Sequence, residues 1–240
     1  MNATAASFTT THWSVVLATH ADNPARARAA LEKLCTTYWY PLYAYLRRRG
    51  QQPADAEDLV QGFIAHLLEH RFFQAADPHK GRFRSYLLVS LNHYVADTAD
   101  EESRLKRGAG SPLLSLDALS AERRYALEPP DPSNPEQLFE RRWALTLLDT
   151  VMQRLETEAA ESGRAKLFAQ IKGVLQGDRR GVHYSELAPR LGMSEAALTM
   201  TVQRLRRRYR ELVREEIAHT VSQPVEIDEE MRHLFQVLGG

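Results

Sequence analysis

Residues 184–209, YSELAPRLGMSEAALTMTVQRLRRRY, restrict the chain more than any other stretch. They read as a helix, a tight turn and a second helix. Ser185 can cap the first helix, with Glu186 at its positive end, and Leu187, Ala188 and Leu191 give it one apolar face. Pro189 has no N–H to donate, so the helix must begin close before it, near Ser185. Gly192 follows where a sharp turn needs positive φ, and Met193 can plug between the two helices. Ser194 caps the second helix and Glu195 opens it. Leu198, Val202, Leu205 and Tyr209 then recur at helical spacing and turn one stripe inward. Ala196, Met200, Gln203, Arg204 and Arg207 fall on the opposite face. A helix that starts with small residues and ends in arginines suits a DNA major groove. Small and polar side chains approach base edges, and arginines hold phosphates. The plain structural alternative is a helical hairpin with a solvated basic face.

A partner for such a helix is not attracted by bulk charge. Lysine plus arginine is 31 and aspartate plus glutamate is 31, so any affinity for nucleic acid must come from how charge is distributed. The 240 residues allow two modest domains, and a hydrophobic share of 43% supports packed cores. The single Cys35 can form neither an internal disulfide nor a multi-cysteine metal site. With no basic, apolar leader at the start and no apolar run of ~20 residues, the sequence leads to an expectation of a cytoplasmic chain.

Helical periodicity runs through the rest, and no strand pattern stands out, so the expected fold is all-α: two helical domains joined by a linker. The domains expected are residues 10–107, a linker at 108–135, a C-terminal domain at 136–220 and a tail at 221–240. Ala27, Leu31, Leu34 and Tyr38 keep helical spacing. Pro41 is expected to break that helix, with a shorter one following and stopped by Gly50. The dense aromatics Tyr38, Trp39, Tyr40, Tyr43 and Tyr45 are expected in the core. A helix from near Pro53 to His70 carries Ala56, Val60, Phe63 and Leu67 on one face. Asp55, Asp58 and Gln61 lie elsewhere on it, as solvated residues or as a surface for a basic partner. Residues 81–97 make another helix, with Phe83, Leu87, Leu91 and Tyr94 on one side. Arg82, Arg84, Tyr86, Asn92 and His93 are interleaved with them. Basic and aromatic groups so mixed can grip a backbone and stack on unpaired bases. Prolines and glycines punctuate residues 108–135, with a short ordered piece expected around residues 113–119. Periodicity returns at Leu138, Phe139, Trp143, Leu147, Val151 and Leu155, and again at Leu167, Phe168, Ile171 and Leu175. The tail reads as an amphipathic helix docked on the C-terminal domain, or as an arm offered to a partner.

Catalytic signatures are missing: there is no GxSxG, HExxH, P-loop or GxGxxG. His66 and His70 are spaced i, i+4 but have no evident third ligand, so no metal site is expected. The expectation is a non-enzyme without a cofactor.

Three pieces of this chain, in order, resemble the extracytoplasmic-function sigma factors, small initiation subunits of bacterial RNA polymerase. DAEDLVQGF at residues 55–63 resembles the helix that binds core polymerase. FRSYLLVSLNHYVAD at 83–97 resembles the helix that melts and reads the minus-ten element, and residues 184–208 resemble the module that reads the minus-thirty-five element. THWSVVL, YWYPLYAYLRRRG and RRWALTLLDTVMQRL resemble a longer-linker subgroup. The resemblance implies binding to polymerase core and to promoter DNA, with an anti-sigma factor or other regulator as a further partner. It implies that Asp55, Asp58 and Gln61 face the polymerase, and that Arg84, Tyr86, Asn92 and His93, then Arg104, Lys106 and Arg107, lie near the melted strand. Ser194, Ala196, Thr199, Met200 and Gln203 would approach upstream bases, with Arg204, Arg206 and Arg207 near phosphates. A helix-turn-helix regulator that ignores polymerase, and a degenerate relative that acts by protein interaction, are the alternatives.

Overall fold

The computed structural model describes residues 24–69, 82–105, 118–126, 134–175, 184–221 and 223–239. Among these the fold is all-α, without strands. In chain order the helices are α1 (Pro24–Arg48), α2 (Pro53–Glu69), α3 (Phe83–Leu105), α4 (Ala118–Ala126), α5 (Pro135–Glu161), α6 (Ala165–Leu175), α7 (Tyr184–Arg190), α8 (Glu195–Ala218) and α9 (Ile227–Gly239). A 3-10 turn, Pro224–Glu226, precedes α9. The chain divides into two compact units. One comprises Met1–Thr146 together with Ile217–Gly240, and the other is Leu147–Glu216. None of these helices is long and apolar enough to cross a membrane.

The first unit is built around the second half of α1. Every residue from 37 to 46 is buried, so this helix is covered on all sides. Pro41 therefore does not break it: α1 runs through the proline. An interior proline costs about 3 kcal/mol, and each large apolar side chain removed from water returns about 1.5–3 kcal/mol. Tyr38, Trp39, Tyr40, Tyr43 and Tyr45 are all buried, as expected. Tyr38 meets Phe83 of α3 edge-on at 5.5 Å, and Tyr45 meets Phe139 of α5 at 6.4 Å. Gly50, at φ 93°, ends α1: its N–H bonds the Arg47 carbonyl and the Gln51 N–H reaches back to Leu46.

The stretch expected as linker contains α4. Ala121 is buried, and Glu122 sits against α1. The Tyr43 hydroxyl donates to Glu122 at 2.5 Å, and Arg47 grips the same carboxylate through two nitrogens at 3.0 and 2.9 Å. Those arginine hydrogen bonds hold the Glu122 carboxyl below its ordinary pKa. Arg124 lies 4.0 Å over the Tyr40 ring. The ordered piece expected around residues 113–119 lies mostly outside the described residues; α4 itself is tied to α1 through Glu122 and Arg124.

On α2, Ala56, Val60, Phe63 and Leu67 are buried and form the expected face. Gly62 leaves room for α3: a Cβ there would collide with the Tyr94 hydroxyl. The Tyr94 ring packs on Phe63 at 5.8 Å and on His66 at 5.3 Å. His70 lies outside the described residues. The helix α3 starts at Phe83 rather than residue 81 and continues to Leu105, through the acidic residues 100–102.

The tail also differs from expectation. The helix α9 belongs to the first unit, not to the one that holds α7.

In the second unit Ile171 and Val174 of α6, Ala188 of α7, and Leu198 and Val202 of α8 form one buried cluster. Leu167, Tyr184, Leu187, Leu191, Met193 and Leu205 close around it. Leu198, Val202 and Leu205 are part of the inward stripe expected from periodicity, while Tyr209, its fourth member, is half-buried outside this cluster.

Candidate nucleic-acid interface

The geometry of the α8 surface is set by the turn before it. At the end of α7, Gly192 adopts φ 66°, its N–H bonds the Pro189 carbonyl at 3.1 Å, and the Met193 N–H bonds Ala188 at 3.0 Å. This is the two-bond stop that a left-handed glycine permits. Met193 packs on the cluster, so it plugs the hairpin as expected. The Ser194 Oγ accepts the Ala197 N–H at 3.2 Å, which caps α8. Because α7 begins at Tyr184, Ser185 falls in its first turn rather than at its cap.

With Leu198 and Val202 buried, α8 has one orientation about its axis. Ala196, Met200, Gln203, Arg204 and Arg207 are all exposed, Met200 at 56%. They make one stripe at helical spacing. Among the described residues Arg207 is paired along its own helix, with Glu211 at 3.0 Å, and Arg204 reaches the Thr201 hydroxyl at 3.4 Å. Such surface contacts are weak, and a phosphate can displace them. Two residues assigned to the same surface are tied down: the Thr199 hydroxyl donates to the Glu195 carbonyl at 2.9 Å, and Arg206 donates to the Val174 carbonyl at 3.3 Å. Both are half-buried. Arg208 has a different task. It binds Glu158 through two nitrogens at 2.9 and 2.7 Å and Glu215 at 3.1 Å, and these bonds raise its pKa. Nothing local in the sequence marks this, because Glu158 is fifty positions away.

In the first unit, Asp55 and Asp58 are exposed on α2, and Gln61 is half-buried, its amide donating to Glu57 at 3.0 Å. Asp55, Asp58 and Leu59 border a cleft of about 380 Å³ whose other wall is Tyr94, Val95 and Thr98 of α3. Burial and the Asp58 charge push the Glu57 carboxyl up.

The melted-strand set is only partly on the surface. Arg84 must be corrected. It is 1% exposed, bonded to Glu140 at 2.5 Å and to Glu230, with its guanidinium 4.2 Å over the Trp143 ring. In this arrangement no phosphate can reach it. Asn92 is half-buried and accepts hydrogen bonds from Tyr45, at 2.9 Å, and from Arg49. Tyr86 is half-buried, and burial raises its phenol pKa. His93 and Val89 are exposed. Arg104 lies in α3, while Lys106 and Arg107 lie outside the described residues.

Comparison with protein-family models, with curated proteins and with solved structures found no match to this chain.

Proposed function

We propose that the chain is an initiation subunit of bacterial RNA polymerase, of the extracytoplasmic-function type. In this reading it has two helical domains, and α7, its turn and α8 form a helix-turn-helix that reads promoter DNA. One observation carries the reading: the exposed stripe of Ala196, Met200, Gln203, Arg204 and Arg207 lies on a helix whose opposite face is core. Small and amide side chains come first and arginines later, which is the order a groove-reading helix needs. Asp55 and Asp58 offer carboxylates to a basic surface of core polymerase. The polymerase supplies the chemistry, so the subunit needs no catalytic residue or cofactor, and it would act in the cytoplasm.

Asp58 is exposed, so reversing its charge leaves the α2 core intact. Asp58→Arg should abolish co-elution with core polymerase on a sizing column. Unchanged co-elution would remove this face from the interface.

A second reading, a relative that binds polymerase without opening DNA, is favoured by the burial of Arg84, which withdraws one cation from the melted-strand set.

A further inference from the structure

Arg82 and Arg84 open α3, which has no acidic residue in its first turn. Two arginines beside the positive end of a helix form a site for an anion. Here that site is filled from within the chain. Glu230 of α9 bonds Arg84 and lies 3.1 Å from Arg82, and Glu229 lies 3.7 Å from Arg82. His233 adds a contact to Glu140 at 2.9 Å. The apolar face of α9 has Leu234 at its centre, with Ile227, Met231, Val237 and Leu238 half-buried around it. Leu234 is fully buried, but Phe235 is 61% exposed, and Val225 just before the helix is 80% exposed. A nucleic-acid phosphate offers Arg82 and Arg84 the same acceptors that the α9 carboxylates now supply.

We propose that α9 is a displaceable cover on the start of α3, its Glu229 and Glu230 standing where nucleic-acid phosphates bind when it leaves. This rests on the reading that α3 faces single-stranded DNA, and it names how that face is regulated. Carboxylates and phosphate oxygens accept the same charge-assisted hydrogen bonds from a guanidinium, so the exchange leaves Arg82 and Arg84 paired in either state. The surface is then closed in the free protein and opened by DNA held near it.

The test uses the full chain and a short fluorescein-labelled oligothymidylate. Glu229→Gln with Glu230→Gln should raise affinity on the order of threefold to tenfold, because two negative charges leave the site. In the unmodified protein, saturating oligothymidylate should speed amide hydrogen exchange across 227–239. The second measurement decides the matter if the double variant does not fold. Unchanged affinity in a folded variant, or unchanged exchange in α9, overturns the cover. Duplex binding through α8, measured in the same samples, separates the failures: if it persists, the cover alone is wrong. If no nucleic acid binds at all, the cover and the functional reading fall together.

Discussion

Replacing Arg84 with alanine should cost about 3–5 kcal/mol of stability, the usual consequence of removing one member of a buried ionic group. Arg84 is 1% exposed and faces Glu140 and Glu230, whose side chains are 23% and 3% exposed. Taking the cation away leaves two carboxylates together, the deeper one with only the partly exposed Arg82 beside it among the described residues. The cavity beside Trp143 adds the loss of the guanidinium–ring contact. The wild-type arrangement is itself not fully satisfied. Burial lowers the Arg84 pKa against the pull of Glu140, and its Nη2 has no hydrogen-bond partner among the described residues. Burying three charges is expensive, so a neutral replacement of the whole group should do much better than its parts. Arg84→Met with Glu140→Gln and Glu230→Gln should recover most of the loss. Urea denaturation at constant m measures both effects. A loss below about 1 kcal/mol for the single alanine variant would show that Arg84 is not the keystone described here.

The second large effect is on DNA. Arg204→Ala together with Arg207→Ala removes two exposed cations without touching the cluster of Ile171, Val174, Ala188, Leu198 and Val202. If each holds one phosphate, the slope of log affinity against log salt should shrink by about 2. Each screened contact contributes about 1 kcal/mol, so affinity for duplex promoter DNA should fall on the order of thirtyfold at low salt. The loss should be similar across sequences, because phosphate contacts carry no base information. Gln203→Ala should instead relax sequence preference and leave the slope alone. An unchanged slope in the arginine double variant would take DNA away from this face.

Local chemistry was legible where it acts over a few residues. The α8 cap, the glycine stop at Gly192 and the alternation of core and exposed stripes all follow from spacing within one or two turns. The apolar face of α2 was legible for the same reason. Pro41 was misread because its local cost is visible in sequence, whereas the burial that outweighs it depends on packing partners such as Phe83 and Phe139, far along the chain. Arg84 was misread in the same way. Beside Tyr86 and Asn92 it looks like a DNA contact, and only the fold brings Glu140 and Glu230 to it from 56 and 146 positions away. The helix α4 was hidden by flanking prolines and is held by Glu122, whose partners Tyr43 and Arg47 give no local signal. On α8, periodicity separated inward from outward residues, but it did not show that Arg206 and Thr199 spend their polar atoms on backbone carbonyls.

The most direct measurement is transcription by bacterial core RNA polymerase on a supercoiled pool of genomic fragments, with and without the purified chain. The account predicts discrete new start sites that appear only with the chain and vanish with the Arg204→Ala, Arg207→Ala variant. Co-elution with core polymerase but no new start sites would contradict an initiation role and favour the relative that only titrates polymerase. Failure to co-elute would contradict the polymerase partnership altogether.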